Sequence, residues 1–456
     1  MRRAAFLQAT DCIDDWLAYR VRTLDIPGVS LAILCGDDRF EHAYGLADEA
    51  SGEALTSKHL FCVASQTKML LATLLLQLVG AGKLGLDDRM VAYLPWLAQH
   101  SDQRMQSITV RQLATHSAGL PREAAPAGYW HMHEPFPDEQ KLRAAVLAAQ
   151  LTHPPNTALK YSNLGFALLG QVVQAASGQT WPELAMPLLR EAAMQTAALD
   201  SRSVAAPLAT GYGVLFERSR RPLGVQPARA LAPSAGLCAT PADMCRFAAG
   251  HFLGNETFLS DAQKREMQRV QWSVPNGFDA GYAYGIGCEL FSIGGRRFVG
   301  HTGHAGGHTT VTLFDPSQRC AVSVAANCKD APCMQIARGI VGILDFFAQH
   351  ATQPTPPRLR KLDTWLYSPL AIVRIVAVGD SVVAVDPDEW EPFAWPDRLE
   401  ALSARALRIC SPGNVATDGE FVHYKFAAGR VQSVSYGGIP MWPTPSAVDP
   451  GFRGQT

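Results

Sequence analysis

Ser65-Gln66-Thr67-Lys68 sets a hydroxyl and an amine three residues apart, and on a helix residues at that spacing share one face. An amine that reaches a serine hydroxyl can take its proton, so the pair has the parts of a nucleophile and its base. Lys68 can serve only when neutral, and bringing a lysine from about 10.4 to near 7 takes roughly 4 to 5 kcal/mol of differential destabilisation of the ammonium, part of which burial supplies. Tyr161, in Tyr161-Ser162-Asn163, is the second candidate: a phenol near Lys68 is either held ionised as a base or relays the leaving group's proton. His301-Thr302-Gly303 ends a strand-like run. An imidazole with a pKa near 6.5 is mostly uncharged at pH 7, so His301 is suited to donating a hydrogen bond or shuttling a proton.

Each of these residues also has a plain structural reading. Serines at helix starts are commonly caps, Asn163 can cap the helix that follows it, and a tyrosine before a helix is often a bonded core residue. Tyr129-Trp130-His131-Met132-His133 is either an aromatic wall of an acyl pocket or surface packing. Its His-x-His pair lacks a third ligand, so neither a metal nor any other cofactor is expected. His116 reads as structural. Gly303, Gly306 and Gly307 fit strand breaks and open no helix, so a phosphate loop is not expected; nor is the carboxylate pair of a glycosidase.

These residues need elements to hold them. After Lys68 the chain runs Met69-Leu70-Leu71-Ala72-Thr73-Leu74-Leu75-Leu76 to Val79, apolar on nearly every side, which predicts a buried helix ended by Gly80 and Gly82. An opening helix with Ile13, Trp16, Leu17 and Val21 precedes a hairpin turning at Gly36-Asp37-Asp38. From Phe61 to about Asp279 the pattern is mainly helical, including Leu164 to Ala176. Strand-like runs return at 284–290, 297–301, 309–314 and 320–326, before a helix over 333–347. The expected fold class is α/β (α+β), an antiparallel sheet with flanking helices and a helical insertion. Residues 1–352 form the first domain, Gln353-Pro354-Thr355-Pro356-Pro357 a stiff linker, and 358–456 a small all-β barrel with strands at 371–378, 381–385, 421–426 and 430–436.

Composition removes several classes of partner. The 456 residues carry 40 basic and 41 acidic side chains for a net charge of −1, with no electrostatic footprint for nucleic acid or an anionic membrane. No window reaches the roughly 18 apolar residues of a membrane span. Asp11, Asp14 and Asp15 interrupt the signal-like opening. Ten cysteines without metal spacing read as buried free thiols, which fits a cytoplasmic location. The expected partner is a small molecule or peptide.

The ordered set Ser-x-x-Lys, Tyr-x-Asn and His-Thr-Gly resembles the serine β-lactamase and penicillin-binding-protein family over roughly residues 10–350, especially its class C β-lactamase, D-aminopeptidase and esterase branches. Ile108-Thr109-Val110-Arg111-Gln112-Leu113-Ala114-Thr115-His116-Ser117-Ala118-Gly119-Leu120 and Pro233-Ser234-Ala235-Gly236-Leu237 look like two of its loops. The resemblance implies a Ser65 acyl-enzyme with Lys68 and Tyr161 moving protons, and Asn163 binding both the lysine and the substrate amide. It also implies an oxyanion hole from the backbone N–H groups of Ser65 and His304, with Thr302 and Gly303 lining the substrate strand. His301 departs from the lysine that many β-lactamases carry there and points to peptidase and esterase relatives. The function expected is hydrolysis of an amide or ester of a small peptide-like substrate. Two alternatives stand beside it. One is acyl transfer or peptide cyclisation from a carrier-bound donor, as in penicillin-binding-protein-type thioesterases, which also pair this fold with a lipocalin-like C-terminal domain. The other is a non-catalytic binding or sensor protein.

Overall fold

The computed structural model describes residues 1–123, 126–216, 218–274, 282–412 and 414–448. The expected end of the helical region near Asp279 and the last residues of the expected C-terminal domain lie outside them. Two compact units emerge: Asp25–Ala337, and a second composed of Met1–Leu24 with Arg338–Thr456.

The first unit is built on a nine-stranded sheet. Its order is Glu53–Ala54, Asp38–Asp48, Gly28–Cys35, Cys320–Ala326, His308–Asp315, Arg296–Ala305, Glu289–Ile293, Tyr282–Tyr284 and Trp272–Val274. Neighbours are antiparallel, as hairpin connections require. Gly28–Cys35 pairs with Cys320–Ala326, so strands nearly 300 residues apart in sequence lie side by side, with register Val29↔Ala326 through Cys35↔Cys320. Between the hairpin and the later strands lie the helices of the expected insertion, with the two-residue strands Phe61–Cys62, Gly211–Tyr212, Pro222–Leu223 and Cys238–Ala239 among them.

That register corrects the expectation that all ten cysteines are free. Cys35 and Cys320 face each other across the strand pair, with Cα atoms 4.1 Å apart, and form a disulfide. The other eight are free; seven of them are buried. No described helix is long and apolar enough to cross a membrane.

Two strand boundaries also differ from expectation, both at the site. The single run at 284–290 is two strands, Tyr282–Tyr284 and Glu289–Ile293. Between them Gly287 takes a φ of +65°, and a Cβ there would sit 2.5 Å from the Ala72 Cβ and 2.8 Å from the Lys68 carbonyl. The chain bends inward at a glycine to press on the first turns of the Ser65 helix. The strand expected to end at His301 continues to Ala305, because the turn lies at Gly306-Gly307, both with positive φ.

In the second unit, eight strands follow one another in sequence order from Thr364–Tyr367 to Ile439–Met441. Tyr367 and Trp442 exchange backbone hydrogen bonds of 2.8 and 2.9 Å, bringing the first and last strands together into a nearly closed barrel. Alternate residues such as Val422 and Tyr424 point to its core beside Leu366, Ile375, Leu407 and Val434. The opening helix Arg3–Thr23 belongs to this unit. Its Trp16 indole donates to the Pro387 carbonyl at 3.1 Å, and the Arg20 guanidinium lies 4.1 Å over the Trp390 ring.

Candidate active site

The turn that carries Ser65 is a one-turn 3-10 segment, Ala64–Gln66, running into the helix Thr67–Gly80. Ala64 is forced into the left-handed region at φ +49°, a conformation costly for a residue with a Cβ and kept only where the surroundings over-determine it. Here they do. The Thr67 hydroxyl donates to the Ala64 carbonyl at 2.6 Å and accepts the Leu237 N–H at 3.1 Å. The Gln66 amide donates to Thr310 at 2.8 Å. Gly303 lies against the same turn: a Cβ on it would stand 2.0 Å from the Val63 carbonyl. The absence of a Cβ at Gly303 lets its strand pack closely on the Ser65 turn. Ser65 alone of the four residues from Ala64 to Thr67 is not buried.

Lys68 is fully buried and its nitrogen has three partners: Asn163 Oδ1 at 2.8 Å, the Ser234 carbonyl at 3.0 Å and Ser65 Oγ at 3.0 Å. Two of these can only accept. A neutral amine has two hydrogens and one lone pair, so donating to both carbonyl oxygens aims the lone pair at the Ser65 hydroxyl. Burial pulls the Lys68 pKa down to about 7, against the carboxylates of Glu123 and Glu289, which favour the ammonium, and with help from Arg122. The neutral amine is therefore accessible near pH 7.

Tyr161 hydroxyl donates to Ser65 Oγ at 2.8 Å. Burial pushes its pKa up, the Ser65 hydrogen bond opposing only in part, so the phenol is protonated and a hydrogen-bonded chain joins Tyr161, Ser65 and Lys68. Behind Tyr161, the His116 ring packs at 4.1 Å, and it also packs on Phe166 and Tyr284 at 4.7 Å each. His116 Nδ1 accepts the Ser162 N–H at 3.0 Å, and burial holds its pKa well below the usual range. It is a neutral wedge that fixes the tyrosine, the structural role expected for it.

Asn163 opens the helix Asn163–Ser177 but does not cap it. Ser162 is the cap, its hydroxyl accepting the Gly165 N–H at 2.8 Å. That releases the Asn163 side chain for the site, where Nδ2 donates to Glu123 Oε1 at 2.5 Å. A carboxylate only accepts, so the amide nitrogen faces Glu123 and its oxygen faces Lys68.

His301 is buried, with Nδ1 donating to the Thr302 carbonyl at 2.6 Å and Nε2 3.2 Å from the Tyr284 hydroxyl. Both ring nitrogens are thus used inside the protein, and burial lowers its pKa against the pull of Glu289. The centre of its ring lies 6.3 Å from that of Tyr161. Glu289 ties down the next residue, accepting the Thr302 N–H at 2.8 Å and its hydroxyl at 3.2 Å. The neighbouring strand pairs only as far as Gly300. Backbone N–H groups alternate along a strand, so that of His304, two residues beyond Thr302, faces the same edge past the end of the pairing.

Glu123, Glu289 and the Ser234 carbonyl are not visible in the sequence. Ser234 lies in the recognisable Pro233–Leu237 loop, but a backbone acceptor has no side-chain signature, and isolated glutamates carry none either. Of the aromatic loop, Trp130 and Met132 line a cavity of about 30 Å³ with Phe136, Cys62, Gly236 and Ala305, while Tyr129 is buried and donates to Glu123 at 3.3 Å. The rings of His131 and His133 lie 5.9 Å apart, and no cluster of three metal-binding side chains occurs among the described residues.

The chain is similar to known proteins. A family model described as Beta-lactamase matches residues 13–340. Penicillin-binding protein 4 of Amycolatopsis lactamdurans is 25% identical over 319 residues, 66% of this chain and 81% of the relative. The D-alanyl-D-alanine-carboxypeptidase/endopeptidase AmpH of Escherichia coli K12 is 26% identical over 330 residues, 69% of this chain and 83% of the relative. The octameric penicillin-binding protein homologue from Pyrococcus abyssi has the same fold at a TM-score of 0.66 and 20% identity, over 95% of this chain and 99% of its own. With most of its length matched by one family model, the chain belongs to the Beta-lactamase family, a family of serine hydrolases.

Proposed function

We propose that the protein hydrolyses an amide or ester of a small peptide-like substrate through an acyl-enzyme on Ser65. The observation that carries this reading is the set of Lys68 partners, in which two obligate acceptors leave the amine lone pair on the Ser65 hydroxyl. In acylation the Ser65 proton passes to Lys68 as Oγ bonds to the substrate carbonyl carbon. The backbone N–H groups of Ser65 and His304 receive the oxyanion. As Oγ becomes an ester oxygen it accepts less well, which frees the Tyr161 phenol to protonate the leaving group; the Lys68 ammonium, its nitrogen 4.9 Å from the centre of the Tyr161 ring, then returns a proton directly to the phenolate, because the ester oxygen has no hydrogen to relay. Water entering in place of the leaving group reverses the sequence and releases the acid. Beside Ala305, the cavity bounded by Trp130, Met132 and Phe136 has about 30 Å³, room for a group about the size of a water or a methyl, and we assign to it an acyl side chain no larger than that of alanine. The named activity of AmpH fits a peptide-like substrate.

The test is intact mass after exposure to a fluorophosphonate or a reactive ester. The wild type should gain one adduct, mapped to Ser65, and Ser65→Ala none; stoichiometric labelling of the alanine variant would overturn the assignment. Incubation with a peptidyl thioester assigns the acceptor. Free acid supports hydrolysis, whereas a cyclic or aminolysed product would make the chain an acyltransferase. Failure of the wild type to acylate with any reactive ester would favour a silent binding protein.

A further inference from the structure

Ser65, Lys68, Asn163 and Glu123 form one continuous hydrogen-bonded chain, with contacts of 3.0, 2.8 and 2.5 Å. Glu123 is its inner end. The carboxylate also accepts from the Tyr129 hydroxyl and from Arg122 Nε, both at 3.3 Å, and is mostly shielded, with 15% of its side chain exposed against 69% for Arg122. Its strongest bond is therefore to Asn163. An amide free to flip would present nitrogen to the lysine, and the partner geometry that aims the amine lone pair at Ser65 would be lost. A carboxylate behind the amide forbids the flip, since two oxygens would then face each other.

We propose that Glu123 is a positioning residue for the Ser65 reaction: it locks the Asn163 amide toward Lys68 and holds a fixed negative charge behind the lysine. The proposal rests on the acyl-enzyme reading above. Several groups share the environment of Lys68. Glu289, from the strand beside His301, opposes burial in the same sense as Glu123; Arg122 acts in the opposite sense. His116 and His301 are neutral, their charging disfavoured by burial and by Lys68, and Tyr161 is held protonated. Of the two carboxylates, Glu289 is engaged by Thr302, whereas Glu123 bonds the amide that itself binds the lysine. Removing its charge while keeping its size should make Lys68 a base at lower pH.

The experiment is the second-order rate of Ser65 labelling from pH 5 to 9 for wild type, Glu123→Gln and Glu123→Met, with melting curves to confirm folding. Wild type should rise with pH to a plateau. In Glu123→Gln the midpoint of that rise should fall by about one pH unit, the low end of what a nearby opposite charge does. Glu123→Met should show the same displacement with a reduced plateau, because it also frees Asn163. A lowered plateau with an undisplaced midpoint in both variants would overturn the proposal and leave Glu123 a structural contact only. Absence of wild-type labelling would instead overturn the acyl-enzyme reading, so the two failures are distinguishable.

Discussion

Burying Lys68 should make the protein less stable in a pH-dependent way that Lys68→Met removes. The pKa falls from 10.5 to about 7 in the fold, so below pH 7 the folded state must carry an ammonium it disfavours, and above 10.5 both states are neutral. Between those limits the unfolded chain binds more protons, and stability rises with pH. The full difference is about 5 kcal/mol and the slope about 1.4 kcal/mol per pH unit. Other groups titrate nearby. Buried free thiols such as Cys245 and Cys288 are pushed up from 9.0 and oppose the trend as pH passes 9, but they are common to both proteins and cancel in the difference. Methionine fills the lysine's apolar volume and leaves Asn163 Oδ1 and the Ser234 carbonyl each short of a donor, a roughly constant cost of about 1 to 3 kcal/mol apiece. Urea unfolding of both proteins at pH 7.5, 8.5 and 9.5 should show the variant's stability relative to wild type falling by about 3 kcal/mol across the series. A difference that stays constant with pH would refute the buried, depressed lysine.

Three further outcomes rest on particular contacts. Tyr161→Phe removes the 2.8 Å donor to Ser65 and should slow acylation by about 10²- to 10⁴-fold, measured by stopped-flow with an activated ester; a wild-type rate would remove the phenol from the relay. Gly303→Ala places a methyl 2.0 Å from the Val63 carbonyl, and its thermal melt should show a loss of about 3 kcal/mol or more, because a backbone atom must yield; a melt within about 0.5 kcal/mol of wild type would show that the contact is not limiting. Trp130→Ala enlarges the cavity beside Ala305 and should raise kcat/KM for bulkier apolar acyl groups over small ones by about tenfold. An unchanged ratio would place the acyl side chain elsewhere.

Features set by local spacing are the most legible in the sequence. Ser65 and Lys68 announce themselves because three residues on a helix define a distance, and the apolar run after them announces a buried helix. Cys320–Ala326 is readable to the residue, since a fully buried central strand is a continuous apolar run. In the barrel, Asp397–Ala401 and Ala406–Ile409 escape notice: four or five residues with charged outward positions leave too little alternation to stand out. Long-range pairing is illegible for a different reason. Nothing in Cys35 or Cys320 alone says that they meet; the sheet register decides it. Asn163 reads as a helix cap until Ser162 takes that role, and Glu123 becomes visible only because folding brings it to the far side of that same amide. His301 is found by its triplet, yet its hydrogen bonds to Tyr284 and its own strand depend on a neighbour 17 residues away.

The proton on Lys68 is the central claim, and it can be counted directly. Protein labelled with ¹³C and ¹⁵N in lysine, compared with Lys68→Met to assign the signal, should show one side-chain resonance titrating with a midpoint near 7, as burial dictates. A Lys68 resonance that stays charged up to pH 9 would contradict the account and return the role of base to Tyr161.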